Sequence, residues 1–360
     1  MHIDYLSIEN LRNIRSAELS PSRCLNILVG KNGAGKTTLL ESIYLLARAR
    51  SFRQQTRARL VNQDAQRLNL FARIETSDKT RHQIGLQQSA NRIEIRKDGE
   101  NLRKRSILAK TLPLTIITPN IQRVLEEDPE NRRRLLNWGM FHVEHEYGDL
   151  ANRYRKTLLQ RNKALRGSTE QLKVWDRQIA ELGTEIHQRM IGYTKLWNDT
   201  ICEISETLQL DKPIKLELKT GWRDELTLYE AMEKNLERDK ERGFTSCGPH
   251  RSDIKIMHNG IPAKNNFSRG EAKIAAVVMI LSQTLMTKMN SGESPVMLVD
   301  DLHSELDAES YEMVLTLIAN QKLQSFVTTL SLDSSLEISG AEESIVFHVE
   351  HGCVKGTNLC

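Results

Sequence analysis

The sequence predicts an α/β fold in which one lobe is divided in the sequence and a mainly helical domain is inserted between its two parts. The first third of the chain alternates polar and apolar residues in short runs, as strands do. From residue 119 to about 208 the chain is long and charged, and its apolar residues recur at spacings of three and four, as in helices. Strand-like runs then return. We therefore expect lobe segments at 1–119 and 244–360, with the insert at 120–243.

The composition supports a folded protein of the cytoplasm. At 360 residues the chain exceeds the size at which one hydrophobic core usually stops growing, so two domains are expected. Hydrophobic residues make up 39% and charged residues 27%, which argues against a wholly disordered chain. The five cysteines contain no C-x-x-C pair, as is usual in a reducing compartment. Since no run of about 18 apolar residues is present, we expect no membrane span and no membrane partner.

Periodicity places the individual elements. In the first lobe segment a helix is expected at 37–49, and strands are expected at 2–9, 25–29, 68–75, 82–88 and 91–97. The insert should add a strand at 213–222 and a helix at 224–242 to its long helices. In the second lobe segment the expected elements are strands at 253–258, 296–300 and 326–329, a helix at 268–289 and a hairpin at 344–354.

A phosphate-binding loop follows the strand at 25–29. It matches G-x-x-x-x-G-K-[ST] in full and consists of Gly30, Lys31, Asn32, Gly33, Ala34, Gly35, Lys36 and Thr37, with Thr38 next in the helix. Glycines let backbone N–H groups converge on phosphate oxygens, and the helix amino terminus adds its dipole. Lys36 is expected on the β- and γ-phosphates of ATP and the Thr37 hydroxyl on Mg²⁺. The alternative is an ordinary glycine-rich turn, but the complete motif between a strand and a helix favours a nucleotide site.

Two acids follow the apolar strand at 296–300. An acid at the end of a strand beside a phosphate loop holds Mg²⁺, which fits Asp300. Asp301 is then placed to orient the attacking water as a general base. The alternative is an acidic turn with no catalytic part. With Lys36, Asp301 completes the predicted catalytic pair.

A second anion site is expected where Ser268 and Gly270 open the helix at 268–289. The ordinary interpretation is that Ser268 only caps this helix. A helix amino terminus also binds anions, however, and Ser268 with Gly270 would then contact the nucleotide. One nucleotide served by two anion sites is best explained if each site pairs with the phosphate loop of a second copy. The sequence therefore predicts an ATP-dependent homodimer.

These motifs, in this order, resemble the heads of ABC-type ATPases of chromosome maintenance and repair, and within them the RecF family of recombination mediators. The stretches that carry the resemblance are Leu11-Arg12-Asn13-Ile14, Arg48-x-x-Ser51-Phe52-Arg53, Pro129-x-x-Arg132-Arg133-x-Leu135-Leu136, Gly248-Pro249-His250-Arg251-x-Asp253, Leu281-x-Gln283 and Ser304-Glu305-Leu306-Asp307. The chain departs from the family pattern at Glu271, where glutamine is usual, and at Leu11 and Asn120. It also has threonine at 328 and 329, where transporter ATPases carry a histidine.

The resemblance implies an ABC-type P-loop ATPase head with a short inserted helical lid. It implies a weak, DNA-stimulated ATPase that closes as a dimer on single-strand gaps and duplex DNA, without sequence specificity, and reopens on hydrolysis. It further implies work with recombination-mediator proteins in recombinase loading, replication-fork maintenance and the SOS response. A DNA-binding scaffold with negligible hydrolysis is the alternative. A transporter subunit or a small-molecule kinase would leave the helical insert or the second anion site unexplained.

Two basic stretches are the candidate DNA surface, although such runs are usually only solvated faces. The candidates are Arg48, Arg53 and Arg57 after the first helix, and Arg153, Arg155 and Lys156 in the insert. The sequence F-H-V-E-H, which occurs twice, lacks the H-E-x-x-H spacing of a zinc site and is attributed to surface histidines.

Overall fold

The structure is a computed structural model that describes residues 1–53, 59–89, 92–126, 129–167, 172–302, 306–331 and 344–358. The chain divides into two compact units. The first unit consists of Met1–Ile121 and Thr287–Cys360, and the second of Gln122–Met286. One unit is thus discontinuous in the sequence and the other is inserted into it.

An antiparallel sheet forms one part of the first unit. Its strands are β1 (His2–Leu11), β2 (Ile14–Leu19), β4 (Arg67–Glu75), β5 (Arg81–Ser89), β6 (Ile93–Lys97) and β7 (Glu100–Asn101). They pair in the order β2-β1-β4-β5-β6-β7. In β1 the side chains of Ile3, Leu6 and Ile8 are fully buried, while the residues between them are more exposed. One face of this sheet therefore packs on the core.

A second sheet, mostly parallel, positions the phosphate loop. Its strands are β3 (Leu25–Val29), β8 (Leu114–Ile117), β12 (Val296–Val299), β13 (Ser325–Thr329), β14 (Ser344–Glu350) and β15 (Cys353–Asn358). They pair in the order β15-β14-β3-β13-β12-β8, and only β14 and β15 are antiparallel. Every residue of β3 is buried, as expected inside a parallel sheet. Because parallel strands end at one edge, the residues after β3, β12 and β13 lie close together.

Three helices accompany these sheets in the described part of the first unit. They are α1 (Lys36–Arg48), α2 (Arg105–Thr111) and α10 (Ala308–Asn320). Leu39, Leu40 and Ile43 of α1 are fully buried in a hydrophobic core that includes residues of both sheets. Burial of each such side chain contributes roughly 2 kcal/mol. This packing fixes the start of α1, and with it the end of the phosphate loop.

The second unit is mainly helical. Its helices are α3 (Arg123–Glu126), α4 (Pro129–Val143), α5 (Tyr147–Leu165), α6 (Leu172–Thr207), α7 (Leu228–Lys234), α8 (Leu236–Arg242) and α9 (Arg269–Ser291), the last of which continues past the unit boundary. A small antiparallel sheet contains β9 (Lys215–Lys219), β10 (Asp253–His258) and β11 (Ile261–Pro262), in the order β11-β10-β9.

A buried ion-pair network joins three helices of this unit. Arg161 of α5 is fully buried and donates to Asp176 of α6 at 2.6 Å and to Asp239 of α8 at 2.8 Å. The Thr245 hydroxyl accepts a third hydrogen bond at 2.9 Å. Removing one partner from such a network typically costs about 3–5 kcal/mol. Arg161 therefore has a structural role, although it lies within the basic stretch of α5.

The second unit ends later than the expected boundary at residue 243. Strand β10 pairs with β9, so residues on both sides of that boundary form one sheet. Most of α9 also belongs to this unit, because the Trp197 indole donates to Ser282 at 2.8 Å and Gln283 donates to Tyr193 at 2.8 Å. Contacts between helices that are distant in the sequence place the boundary at Met286, and local sequence patterns do not indicate such contacts.

Other differences are local. The helix expected at 224–242 is divided at Asn235, whose side chain donates to the carbonyl of Ala231 at 2.7 Å and ends α7. The unpredicted elements among the described residues include the strands β2, β7, β8 and β11 and the helices α2 and α10. Among the described residues, α9 is long and apolar enough to cross a membrane, but 78% of its apolar window is buried inside the protein. It therefore serves as a core helix.

Candidate nucleotide-binding site

The loop from Gly30 to Thr37 joins β3 to α1. The Gly30 N–H donates to the carbonyl of Thr329 at 3.3 Å, and the Ala34 N–H donates to that of Lys31 at 3.1 Å. Gly33 and Gly35 have φ angles of 79° and 123°, which side chains with a Cβ rarely adopt. The loop therefore needs glycine at both positions for its backbone to curl around an anion.

The hairpin of β14 and β15 braces this loop. A Cβ on Gly30 would lie 2.2 Å from the carbonyl oxygen of Val349, so only glycine fits there. In the turn of the hairpin, the Gly352 N–H donates to the carbonyl of Ala34 at 2.8 Å. The loop is thus packed between its own helix and the last hairpin of the sheet.

Lys36 places its ammonium inside the loop. The group donates to the carbonyl oxygens of Gly30 and Lys31, the second at 3.2 Å. Burial lowers the pKa of Lys36, while the charges of Asp301 and Asp300 raise it. A buried cation surrounded by loop carbonyls and nearby acids is suited to a phosphate group, which would supply the missing negative charge.

Asp300 lies at the end of β12 and receives two hydroxyl hydrogen bonds. Thr37 donates to its Oδ1 at 2.9 Å and Thr328 donates to the same oxygen at 3.2 Å. Burial raises the pKa of Asp300, although these hydrogen bonds and the charge of Arg53 act in the opposite direction. The carboxylate is therefore held in place at an energetic cost that a cation would remove.

Asp301 is held by its backbone. It adopts a φ of 44°, in the left-handed region that non-glycine residues seldom occupy. Its N–H donates to the Thr328 hydroxyl at 2.8 Å. Thr328 thus accepts from Asp301 and donates to Asp300, which fixes the two acids relative to each other.

A cavity of about 230 Å³ contains most of the predicted residues. It is lined by Arg12, Asn13, Lys31, Asn32, Gly33, Gly35, Lys36, Thr37, Thr38, Arg53, Asp301 and Thr328. Among the described residues, six of the eight loop residues and Asp301 therefore line one cavity, whereas Gly30 and Ala34 do not. Asp300 does not line the cavity, but its carboxylate accepts hydrogen bonds from two residues that do, Thr37 and Thr328.

Arg12, Asn13 and Thr328 were not predicted as site residues. The Asn13 amide donates to the Gly33 carbonyl at 3.1 Å, and its oxygen accepts from the Thr38 hydroxyl at 3.0 Å. Arg12 forms two hydrogen bonds to the buried Glu41, at 2.5 and 2.9 Å. The signal for Arg12 and Asn13 was the family stretch at 11–14, which the sequence alone connects to no site.

The oxygen ligands at the start of α1 and after the end of β12 fit Mg²⁺. The Thr37 hydroxyl and the Asp300 carboxylate are both oxygen ligands, and a 2.9 Å hydrogen bond already brings them together. Burial raises the pKa of Asp300, so a divalent cation at this position would favour the ionised carboxylate. The expected metal residues are thus chemically suitable.

Ser268 and Gly270 belong to the second unit. Ser268 precedes α9, and its hydroxyl accepts from the Glu271 N–H at 3.3 Å. The Ser268 N–H in turn donates to the Glu271 carboxylate at 2.7 Å. This reciprocal pair is a capping box, so the capping role weighed from the sequence is present in the structure. Ser268 is exposed, and a capping serine at a helix amino terminus can still face an anion.

The candidate DNA residues separate into groups. Arg48 is half-buried; its guanidinium donates to the carbonyl of Leu114 at 3.0 Å, and burial lowers its pKa to about 10. It is a structural cation, in contrast to the expectation. Arg53 lines the nucleotide cavity. Arg57 lies outside the described residues. Arg153, Arg155 and Lys156 are exposed on α5, and their assignment to a DNA surface stays a prediction. From the motif at 304–307, Ser304 and Glu305 are also outside the described residues, and Asp307 caps α10.

Comparison with known proteins identifies the family. Residues 2–355 match the RecF/RecN/SMC N terminal domain. A protein of Shewanella piezotolerans named DNA replication and repair protein RecF is 34% identical over 360 residues, covering 98% of this chain and 99% of its own. The chain belongs to the RecF family. A RecF of Vibrio atlanticus is 32% identical over 358 residues, covering 99% of both chains.

Solved structures agree on the fold. The recombination mediator protein RecF with ATP, described as part of the RecFOR pathway, superposes with a TM-score of 0.85 at 25% identity, covering 100% of this chain and 98% of that one. An Smc head bound to the C-winged helix domain of ScpA has a TM-score of 0.62 at 15% identity, covering 100% and 98%. The predicted ABC-type head with a helical insert is confirmed, as is the resemblance to the RecF family.

Proposed function

We propose that the chain is an ATP-driven switch that closes as a homodimer on DNA in recombinational repair and replication-fork maintenance. The observation that carries this proposal is the cavity at the phosphate loop, which is lined by the buried Lys36 and by Thr37, whose hydroxyl donates to Asp300. RecF relatives named for DNA replication and repair, and the RecF structure with ATP, support ATP as the ligand.

Hydrolysis would use residues that the structure already orients. Lys36 binds the β- and γ-phosphates and balances their charge. Asp301, at the cavity wall, accepts a proton from the attacking water as general base. Thr328 holds Asp301 through its backbone N–H and holds Asp300 through its carboxylate. When bound by Thr37 and Asp300, Mg²⁺ would neutralise charge on the phosphate oxygens.

Closure would bring Ser268 and Gly270 of one copy against the γ-phosphate in the phosphate loop of the other. Ser268 is exposed at the start of α9, so a second copy can reach it. An anion there gains from the backbone N–H groups and the dipole of a long helix. Since only ATP retains the γ-phosphate, the dimer forms with ATP and weakens after hydrolysis. Each copy would thus supply Ser268 and Gly270 to the nucleotide that the other copy binds.

DNA would be held by charge without reading its sequence. Arg153, Arg155 and Lys156 are exposed on α5 and can bind backbone phosphates of single-strand gaps and of duplex DNA. The RecFOR name of the structural relative supports recombination-mediator partners that load recombinase there, and with them a part in the SOS response. These activities place the protein in the cytoplasm.

ATP turnover by the full chain, measured with and without gapped DNA, tests this function. We expect slow turnover that DNA accelerates, and loss of both rates in the Lys36→Ala variant. Turnover that ignores DNA would contradict the proposed coupling. ATP-dependent DNA binding without measurable turnover would instead favour the alternative, a scaffold gated by ATP.

A further inference from the structure

The signature loop at 266–271 carries a negative charge where a phosphate is expected. Glu271 lies in the first turn of α9, three residues after Ser268, and its carboxylate accepts from the Ser268 N–H at 2.7 Å. This hydrogen bond stabilises the helix start but also places an anion beside the hydroxyl that should meet a γ-phosphate. Two negative groups at one helix end repel each other unless a cation lies close by.

Lys212 supplies that cation. Its Nζ lies 3.0 Å from a carboxylate oxygen of Glu271 and donates to the carbonyl of Asn266 at 3.2 Å. The same ammonium lies over the Phe267 ring, 5.7 Å from its centroid. One ammonium thus interacts with the first two residues and the last residue of the loop. Both charged side chains remain about a third exposed, at 33% and 37%.

The lysine is itself held in place. Lys212 precedes Pro213, whose carbonyl oxygen is 2.8 Å from Nδ1 of His258 at the end of β10. The ring of His258 packs edge-on against that of Phe267, with centroids 5.7 Å apart. The corner at 212–213 and the signature loop are therefore fixed to the same strand. The position of Lys212 relative to Glu271 is therefore set by the fold as well as by the conformation of its flexible side chain.

We infer that Lys212 is a positioning residue of the signature loop, where it neutralises Glu271 and so lets the Ser268 hydroxyl donate to the γ-phosphate of an ATP bound by a second copy. This inference rests on the proposed function of Ser268. Glu271 holds the serine through the capping box, and Lys212 cancels the charge that this device would otherwise present to the phosphate. The hydrogen bond from the Ser268 N–H and the pair with Lys212 lower the pKa of Glu271, in keeping with a carboxylate that stays ionised.

Rescue by charge removal tests the inference. Lys212→Met keeps an unbranched side chain of similar length beside Phe267 but leaves Glu271 without its cation. Sedimentation with ATP should show that the dimer is about tenfold weaker, because each dimer contains two unpaired carboxylates. Glu271→Gln should restore dimerisation in the double variant, since the neutral amide oxygen can still accept from Ser268. ATP binding by the monomer should be unchanged in both the single and the double variant.

Controls separate the possible outcomes. Lys215→Met, at an exposed position on β9, should dimerise as the unmodified chain does, and thermal unfolding without ATP should confirm that every variant is folded. If Lys212→Met dimerises normally, or if Glu271→Gln fails to rescue it, Lys212 only packs on the loop and the inference is wrong. If Ser268→Arg dimerises with ATP as well as the unmodified chain, the proposed shared site itself fails.

Discussion

The helices that begin at Lys36 and at Arg269 both present backbone N–H groups at their amino termini, but they satisfy them differently. Before α1 stands Gly35, which has no side chain to cap the helix, and the first turn of α1 contains no acid. Before α9 stands Ser268, which forms a reciprocal capping box with Glu271. One terminus leaves its donors to a ligand, whereas the other already has an internal carboxylate.

From this difference we expect the α1 terminus to bind ATP and the α9 terminus to contribute to closure of the dimer. The α1 terminus, with Lys36 beside it, can hold the phosphates of ATP within a single chain. On the proposed function, a phosphate at the α9 terminus would share the N–H groups with Glu271, so its contribution would be weaker and would depend on Lys212. A strong site and a weak one would then give a dimer that forms with ATP and separates readily. The following predictions test whether the two termini act in this order.

The largest effect is expected from Lys36→Ala. Removing the buried ammonium takes away the charge that meets the β- and γ-phosphates, and turnover should fall by at least about 100-fold. Lys36→Arg should bind ATP but not turn it over, because a guanidinium cannot occupy the position of the ammonium. Equilibrium ATP binding and phosphate release would be measured. Lys104→Ala, at an exposed position of the same unit, is the control; normal turnover by Lys36→Ala would refute the site.

Asp301→Asn and Ser268→Arg should separate catalysis from closure. Asp301→Asn removes the general base, so turnover should fall by about 100-fold while the ATP-bound dimer persists. Ser268→Arg should bind ATP as a monomer yet weaken the dimer at least about tenfold, since the larger side chain blocks the approach of a second copy. Sedimentation with and without ATP distinguishes them. Equal loss of the dimer in both variants would contradict the separation of catalysis at Asp301 from closure at Ser268.

An intermediate effect is expected from charge reversal on α5. Replacing Arg153, Arg155 and Lys156 by glutamate should weaken binding to every DNA sequence alike and lower the salt dependence by about one unit of slope for each DNA phosphate that is no longer bound. The matched control reverses the exposed Lys234, Arg238 and Lys240 on α7 and α8, which changes the net charge equally. Equally weakened DNA binding in the two triple variants would mean that α5 is not the DNA-binding surface.

The smallest effect is expected from Asp300→Asn without nucleotide. Burial raises the folded-state pKa of Asp300, so the ionised carboxylate costs stability at neutral pH and the protein gains stability as the pH falls through that raised pKa. The amide should therefore raise the thermal midpoint at pH 7 by roughly 2 °C, although turnover is lost. Asp64→Asn, at an exposed site, should leave the midpoint unchanged. A lowered midpoint would show that the hydrogen bonds to Asp300 outweigh its burial.

Local motifs could be predicted from the sequence because they are encoded in consecutive residues. The strand at 25–29, the phosphate loop and the pair of acids after β12 all depend on short patterns. Thr328 could not be assigned a role in the same way, because only the pairing of β12 with β13 brings it to Asp300 and Asp301. Strand β8 is as short as β12, but no motif of the nucleotide site follows it in the sequence, so only its pairing with β12 reveals it.

Charge runs were the least reliable signal. Arg161 and Arg155 both belong to the basic stretch of α5, yet Arg161 is fully buried between Asp176 and Asp239 while Arg155 is exposed. The partner Asp239 lies on another helix, far along the chain. Sequence distance therefore hides which cation is solvated. For the same reason Arg48 could not be recognised as a residue bound to the backbone of β8.

The bracing of the phosphate loop by the last hairpin has a consequence for synthesis of the chain. Strand β3 lies between β13 and β14, and Gly352 bonds the loop directly, so the partners of an early segment are translated much later than the segment itself. A nascent chain on the ribosome carries the complete nucleotide motif long before the strands that shape it emerge. Immature copies should accordingly be unable to retain ATP, and so should not close on DNA before β13 and the hairpin of β14 and β15 have been made.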